Sequence, residues 1–362
     1  MTERVYNFSA GPATLPLPVL EQAQAELLSY PGAGASIMEI SHRSKTFLRI
    51  LAEAKADLKA LLGVGDDFEV LFTPGGATMQ FTMLAMNFLN GKSADYLSVG
   101  SWAGKAFKDA ARFGTPRSAW SGKAENYVRM PADGELDLDP NAEYVHMTSN
   151  ETIQGIQFKT EPDVKGKSLF CDASSDFLSR PLDMAKYAFL YAGAQKNVGP
   201  SGTAVVVMRR DLLDRVPENL PPLLDYKVMV ENDSLYNTPA SFTIYIIGLV
   251  LKWLRNDIGG LEKIAEINEA KAALLYDAID ASGGFYRGHA QTAHRSLMNV
   301  TFRVGNEEQE KLFIEQATKA GLDGLKGHRS VGGCRASIYN AMPVDGVKAL
   351  RDFMLEFQRT HG

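Results

Sequence analysis

Short apolar segments alternate with longer amphipathic ones through most of the chain. The amphipathic residues 48–63 and 79–90 have the length and periodicity of helices. The apolar segments are rich in β-branched and aromatic residues, as buried strands are. They comprise residues 70–73, 94–99, 144–148, 168–173, 189–194 and 204–208. Strands that alternate with helices indicate an α/β fold, with a mainly parallel sheet flanked by helices.

The pattern changes near Leu261, where a long amphipathic helix over residues 261–284 ends in two glycines. Four elements follow it: a strand at 296–304, a helix at 307–321, a strand at 336–341 and a helix at 344–362. We therefore expect a large domain over residues 36–258 and a smaller C-terminal α/β domain over residues 259–362. The segment 1–35, rich in Pro and Gly, is expected to pack across both domains.

Charge and cysteine content argue against several classes of protein. The 38 Lys and Arg residues against 43 Asp and Glu residues give a net charge of -5. With no dense basic run, the chain gives little support to nucleic-acid binding. Two cysteines, Cys171 and Cys334, are too few for a disulfide framework, and their spacing does not suggest zinc. No metal site is expected.

The chain shows no membrane or secretion signal by composition. Its most apolar segment, residues 242–254, includes Lys252 and is too short to span a bilayer, which favours a buried helix. The first residues lack the apolar stretch of a secretory signal. A reducing cytoplasm is therefore the expected location.

Lys196 lies in an unusual setting, among small residues, amides and glycines just before the apolar segment 204–208. Lysine is rarely buried unless it is paired, so a surface lysine in a loop is the ordinary interpretation. A crowded, desolvated lysine would instead have a lowered pKa and could act as a nucleophile.

Three further features favour a reactive lysine. Asp172 ends a predicted strand, where α/β sheets bind ligands, although it could also cap a helix. The turn 75–78 (GGAT) between a strand and a helix suits a phosphate, although an ordinary turn fits as well. Trp102 follows another strand and could stack on a planar ring or fill the core. Together they indicate a site for pyridoxal 5'-phosphate (PLP), with Lys196 bonded to its aldehyde and Asp172 beside its ring nitrogen.

Nine segments between Asn7 and Pro343 resemble, in matching order, those of the phosphoserine aminotransferase family. They are NFSAGPATLP, SIMEISHRS, FTPGGAT, GSW, SNETIQG, CDASSDFLSRP, YAGAQKNVGPSG, YNTPASFTIY and GHRSVGGCRASIYNAMP. The resemblance implies a PLP-dependent aminotransferase of fold type I. It also implies a homodimer with each active site at the subunit interface.

The resemblance assigns the cofactor site residue by residue. Lys196 is similar to the Schiff-base lysine, Asp172 to the partner of the ring nitrogen, and Trp102 to the stacking residue. It implies further cofactor contacts by Gly76, Ala77, Thr152, Gln195, Asn237 and Thr238. Gly76, Ala77 and Gln195 are expected at the phosphate and Thr152 near the ring oxygen. Asn237 and Thr238 are expected to reach the phosphate of the neighbouring subunit, and they also suit a helix N-terminus.

The substrate side must bind an α-carboxylate and a second anion. By resemblance, Arg335 holds the α-carboxylate, since arginine forks match carboxylate geometry. The second anion is expected to meet His42, Arg43, His328 and Arg329. His294 and Arg295 match no motif and are left outside the site.

The implied reaction is a ping-pong transfer of the amino group from L-glutamate to 3-phosphohydroxypyruvate. It gives 2-oxoglutarate and O-phospho-L-serine, a step of serine biosynthesis. The family also accepts a related phosphorylated oxo acid on the route to pyridoxine. Whether this chain does so is left open by its sequence.

Other functions remain to be weighed. A cysteine desulfurase needs an exposed, mobile cysteine, whereas Cys171 lies in a predicted strand and Cys334 in an arginine-containing turn. Cys334 also stands where the family has methionine, beside Arg335. An aminotransferase for glyoxylate or a similar small acceptor would not need so many basic groups. A nucleotide-binding or non-catalytic protein is disfavoured, because the usual nucleotide motifs are missing while Lys196 and Asp172 are both present.

Overall fold

The computed structural model describes residues 4–362, and its elements alternate as the sequence pattern predicts. The strands are β1 (Tyr6–Asn7), β2 (Phe68–Pro74), β3 (Ser93–Ser98), β4 (Thr115–Ser121), β5 (Val145–Thr148), β6 (Asn150–Glu151), β7 (Ile156–Gln157), β8 (Leu169–Asp172), β9 (Tyr187–Gly193), β10 (Thr203–Arg209), β11 (Tyr286–Gly288), β12 (Asn299–Val304), β13 (Leu322–Asp323) and β14 (Cys334–Ser337). The α-helices are α1 (Leu17–Ala25), α2 (Lys45–Leu62), α3 (Gly76–Phe88), α4 (Ser101–Ala110), α5 (Tyr226–Glu231), α6 (Ser241–Lys252), α7 (Leu261–Asp280), α8 (Glu307–Lys319) and α9 (Val344–His361).

Seven strands form the main sheet, in the order β2-β10-β9-β8-β5-β3-β4. Only β10 runs against its neighbours, pairing antiparallel with both β2 and β9. The predicted mainly parallel sheet is confirmed, and the direction of β10 is new information. The carboxyl ends of β2, β3, β5, β8 and β9 therefore meet at one edge, together with the beginning of β10. Ligands of open α/β sheets bind at this edge.

Helices cover both faces of the main sheet. Alternate residues of each strand point to opposite faces, so Val205 and Val207 join one apolar cluster while Val206 joins the other. The first cluster includes residues of α2 and α6, and the second includes residues of α3 and α5. The predicted arrangement of a parallel sheet between helix layers is thereby confirmed.

The C-terminal region has its own core. The antiparallel strands β11, β12 and β14 form a sheet whose residues cluster with those of α7, α8 and α9. The strand predicted at 336–341 lies earlier, at Cys334–Ser337, because the carbonyl groups that follow it turn towards α7. Near the other end of the chain, β1 pairs with β13, and the Ala13 amide donates to the Gln195 carbonyl at 2.9 Å. The boundaries of the three predicted parts stay a prediction.

The apolar segment 242–254 forms the buried helix α6, followed by a π-helical turn at Trp253–Ile258. Among the helices described, none combines the length and apolar character needed to cross a bilayer.

Lys271, on α7, is a fully buried lysine that the helical pattern did not single out. Its ammonium group donates to the carbonyls of Ile338 (3.0 Å), Tyr339 (2.7 Å) and Met342 (3.1 Å), and it lies 3.5 Å from that of Asn340. The Asn340 amide in turn donates to Asn197 Oδ1 at 2.9 Å, next to Lys196. Lys271 thus holds the segment that connects β14 and α9 against the loop that carries Lys196.

We expect Lys271→Met to lower the free energy of unfolding by about 2–4 kcal/mol, because it leaves several buried carbonyl groups without a donor. Denaturant titration of the purified protein measures the change. Lys263→Met on the same helix is the control, since that side chain is exposed and pairs with Glu266 at the surface. Its effect should stay within about 0.5 kcal/mol. Equal losses for the two variants would contradict a special role for the buried ammonium.

Candidate active site

A cavity of about 440 Å³ opens at the carboxyl edge of the main sheet. This volume lies within the usual range of small-molecule sites. The predicted residues that line it are Gly76, Ala77, Trp102, Thr152, Asp172, Gln195, Lys196, His328 and Arg335. The first seven come from the main-sheet region, whereas His328 and Arg335 come from the C-terminal region. A second cavity, of about 460 Å³, lies beside the N-terminal segment and contains none of the predicted site residues.

Lys196 occupies the loop between β9 and β10, at the centre of the cavity. Its Nζ donates to Thr152 Oγ1 at 2.7 Å and lies 5.4 Å from the centroid of the Trp102 ring. Burial lowers the pKa of Lys196, while Asp172 and Glu151 oppose that shift. The lowered pKa increases the fraction of free amine, the form that acts as nucleophile and base.

Asp172 is the last residue of β8 and is buried at the cavity wall. Its Oδ1 accepts from the amide of Ser174 at 2.9 Å and from the Ser174 hydroxyl at 2.5 Å. Burial raises the pKa of Asp172, and Lys196 and the hydrogen bonds from Ser174 counteract this. Both hydrogen bonds reach the same oxygen, so Oδ2 stays available to a cationic group in the cavity.

The turn between β2 and α3 brings a helix N-terminus to the cavity. Gly75 and Gly76 have φ values of 87° and 67°, a region that favours glycine. A Cβ on Gly75 would also lie 2.8 Å from Met79 Cβ. Because Gly75 has no side chain to cap the helix, the amides of Gly76 and Ala77 remain available to an anion.

Trp102 lies in the first turn of α4, and its ring forms one wall of the cavity. Within residues 4–362 its Nε1 is buried without a hydrogen-bond partner. The start of α4 is held by Glu151, whose carboxylate accepts from the amides of Trp102 and Ala103. Glu151 was missed as a site residue, although it lies in the NETIQG segment that also contains Thr152.

Arg335 adds positive charge to the cavity, and His328 lies beside it in the lining. Nη1 of Arg335 lies 3.5 Å from the Thr152 carbonyl, and its buried Nε has no partner in the described chain. Burial lowers the pKa of Arg335. Burial also lowers the pKa of His328, and nearby Arg335 and Arg329 add to that effect. The Arg335 guanidinium supplies the charge for a carboxylate or phosphate, and the His328 ring can add a neutral hydrogen bond.

Five predicted residues do not line the cavity of this single chain: His42, Arg43, Asn237, Thr238 and Arg329. Arg329 is exposed on the His328 loop. The other four precede α2 and α6. Their roles were implied by resemblance and not by a contact within one chain, and they stay predictions.

Helices α2 and α6 run side by side in the same direction. Glu53 pairs with Lys252, and further along both helices Asp57 pairs with Arg255 just past the end of α6. The segments before the two helices therefore lie at the same end of the pair. His42 and Arg43 therefore lie at the same end of the α2–α6 pair as Asn237 and Thr238.

The two cysteines have no features of a reactive thiol. Cys171 is buried in β8 and Cys334 in β14, where it pairs with Phe302. Burial raises the pKa of both thiols, which disfavours the nucleophilic thiolate. The geometry therefore argues against the cysteine desulfurase alternative.

His294 and Arg295 do not line the cavity. Arg295 forms two hydrogen bonds with Asp280, at 2.7 and 2.6 Å. Across residues 4–362, no group of three or more His, Cys, Asp or Glu side chains could hold a metal ion.

Comparisons with known proteins agree with this geometry. The family model for aminotransferase class V matches residues 5–350. The chain is 57% identical to phosphoserine aminotransferase of Desulfosudis oleivorans, over 100% of both chains. Its structure matches that of phosphoserine aminotransferase from Bacillus circulans subsp. alkalophilus with a TM-score of 0.97 and 52% identity, over 100% of both chains. It also matches PLP-bound phosphoserine aminotransferase from Trichomonas vaginalis with a TM-score of 0.92 and 39% identity, covering 97% of this chain and 100% of the other. The chain belongs to the phosphoserine aminotransferases, within the class V aminotransferase family.

Proposed function

We propose that this chain is a PLP-dependent aminotransferase that moves the amino group of L-glutamate to 3-phosphohydroxypyruvate. The products are 2-oxoglutarate and O-phospho-L-serine, the precursor of L-serine. The observation that carries this proposal is one cavity in which Lys196 faces Asp172, the uncapped start of α3 and the Arg335 guanidinium.

The residues of the cavity fit PLP in charge and shape. The amides of Gly76 and Ala77 suit its phosphate, the Trp102 ring offers a stacking face, and Asp172 offers a buried carboxylate to its ring nitrogen. Lys196 lies where an amine is needed to meet the aldehyde. When bound, PLP supplies the aldehyde that takes the amino group and the ring that accepts electrons from the substrate Cα.

Each of these side chains has a separate part in the chemistry. Lys196, whose pKa is lowered by burial, acts as the base that takes the proton from the substrate Cα and later returns it. The Thr152 hydroxyl orients its Nζ at 2.7 Å. Asp172, ionised beside a cationic ring, keeps the ring nitrogen protonated, and Ser174 fixes the orientation of that carboxylate.

Substrate selection needs two anion sites. Arg335 is proposed to hold the α-carboxylate, since its buried Nε lacks a partner and its fork suits a carboxylate. His328 and Arg329, with His42 and Arg43, are proposed to hold the phosphate or the γ-carboxylate. A unit charge pair about 4 Å apart gains roughly 4 kcal/mol near the protein surface before desolvation, so the guanidinium groups of Arg329 and Arg43 favour the dianionic phosphate. A small acceptor such as glyoxylate has no group for this second site.

We further propose a homodimer whose subunits complete each other's sites. His42, Arg43, Asn237 and Thr238 lie at a common end of the α2–α6 pair and not at the cavity of their own chain. Large apolar side chains next to these segments are exposed: Met38, Leu48 and Tyr236. Exposed apolar residues beside unused functional groups are what a subunit interface would cover. The proposed location is the cytoplasm, where its two free thiols would remain reduced.

The visible spectrum of the PLP-loaded protein tests the cofactor and the substrates together. We expect glutamate to remove the visible band and 3-phosphohydroxypyruvate to restore it. Lys196→Ala should lose turnover by about 10³-fold or more, because it removes both nucleophile and base. Lys108→Ala, an exposed change on α4, is the control and should behave as wild type.

The outcomes separate the parts of this proposal. A wild-type protein without a visible band would overturn the cofactor assignment. A band that responds to glutamate but not to the phosphorylated acceptor would keep the aminotransferase and discard its substrate. An acceptor panel with glyoxylate and the phosphorylated 2-oxobutanoate of pyridoxine biosynthesis then defines the range.

Steady-state kinetics tests the anion sites. Arg335→Lys should raise the KM for both substrates by about tenfold or more, because an ammonium cannot replace the bidentate fork. His328→Asn should raise the KM for the phosphorylated acceptor more than that for glutamate. Arg359→Lys, at the exposed end of α9, is the control. A change in kcat alone would be incompatible with a binding role for Arg335.

Complementation between inactive variants tests the shared site. Co-expression of Lys196→Ala with the double variant His42→Ala/Arg43→Ala should restore about a quarter of wild-type activity, because in a C2 dimer one site of each hybrid is complete. Lys196→Ala with Arg335→Ala is the control, since both changes affect the cavity of their own chain and no hybrid site is complete. Equal activity of the two mixtures would contradict the shared site.

A further inference from the structure

Helix α4, which carries Trp102, begins without an N-cap side chain of its own. Its N-cap residue is Gly100, so the first amides of the helix need acceptors from elsewhere. Glu151 Oε2 accepts from the Trp102 amide at 3.1 Å, and Oε1 accepts from the Ala103 amide at 2.8 Å. Gln154 Oε1 lies 3.4 Å from the Ser101 amide. A segment about fifty residues along the chain therefore supplies the cap of α4.

This arrangement requires glycine at position 100, because any side chain there would collide with Glu151. A Cβ at position 100 would lie 2.4 Å from Glu151 Cδ and 2.8 Å from its Oε1. Its backbone is extended, with φ at -179°, so no conformational demand for glycine exists there. The missing side chain leaves room for the buried carboxylate at the helix start.

The same short segment also reaches the reactive lysine. Thr152, the next residue after Glu151, accepts from Lys196 Nζ at 2.7 Å. The Gln154 side chain donates from Nε2 to Ser101 Oγ at 2.8 Å. The backbone carbonyl of Gln154 accepts from the hydroxyl of Thr301, in the C-terminal region, at 3.0 Å. Residues 151–154 thus contact both α4 and Lys196, which each line the cavity.

We propose that Glu151 is a positioning residue that sets the Trp102 ring relative to Lys196 by capping α4 with both carboxylate oxygens. It acts through Trp102 and touches neither substrate nor cofactor. The inference rests on the proposed function in one respect, that Trp102 is a wall of the PLP site.

The burial of the Glu151 carboxyl is consistent with a role in which both of its oxygens are used. Its carboxyl is buried, and burial, with the nearby Asp172 carboxylate, raises its pKa to about 7, while the two amide hydrogen bonds and Lys196 counteract that shift. Ionising a buried carboxyl costs free energy, and hydrogen bonds to both of its oxygens offset part of that cost. An apolar residue would leave two helix amides without acceptors.

Fluorescence of the apoprotein during PLP titration tests this inference. Glu151→Gln retains the shape, but its amide nitrogen cannot accept from the second helix N–H. The contribution of Trp102 to emission is assigned by comparison with Trp102→Phe. We expect Glu151→Gln to raise the Kd for PLP about tenfold, the factor for loss of one cap-strength interaction, and to reduce the quenching of Trp102 at saturation.

Asn306→Ala is the matched control. Asn306 caps α8 in the C-terminal region, far along the chain from the cavity, by accepting from the amides of Glu308 and Gln309. Its loss should lower the melting temperature as a capping loss does, with wild-type Kd and quenching. Glu151→Gln with the same pattern as Asn306→Ala would overturn the proposal and leave Glu151 a purely structural cap.

A wild-type protein that neither binds PLP nor shows quenching would instead overturn the proposed function, and this inference with it. PLP binding by the wild-type protein, together with altered quenching in Glu151→Gln, supports both the proposed function and this inference. The quenching at saturation is decisive, because a change in stability alone does not move the Trp102 ring relative to bound PLP.

Discussion

Removal of charged groups from water at the carboxyl edge of the main sheet is the constraint on which the site depends. One amine, Lys196, lies there with two buried carboxyl groups, Asp172 and Glu151. Burial lowers the pKa of the lysine and raises the pKa of the two carboxyl groups, so it favours the neutral form of each. Neighbouring opposite charges counteract these shifts. The pKa of Lys196 is therefore below that of a free lysine, which increases the fraction of free amine available for proton transfer.

The one antiparallel strand of the main sheet explains how Lys196 reaches this edge. Because β10 returns alongside β9, the chain between them needs only a short loop at the carboxyl edge. A parallel β10 would require a crossover to the opposite edge, usually through a helix. The short loop instead keeps Lys196 beside the end of β8, which contributes Asp172, and beside the uncapped start of α3.

Sequence patterns predict those features of the fold that depend on local interactions. The apolar strands and the helices α2, α3 and α7 follow from periodicity, while Lys196 and Asp172 follow from chemistry at strand ends. The edge strand β4 was missed because its sequence, TPRSAWS, is largely polar and exposed. Glu151 and Lys271 were missed because their partners are backbone groups far along the chain, which leave no periodic signal. The roles of His42 and Asn237 follow only from the family resemblance, because neither residue lines the cavity of its own chain.

The close approach of Gly100 and Glu151 links two positions that are distant in the chain. Serine, threonine, aspartate or asparagine at a helix start normally stabilises the helix, yet at position 100 any of them would collide with the carboxylate that already serves that purpose. Substitutions at the two positions therefore cannot be evaluated independently. Across related sequences, we expect the two positions to vary together or not at all. The buried carboxyl of Glu151 thus restricts position 100 to glycine, although the backbone there does not require it.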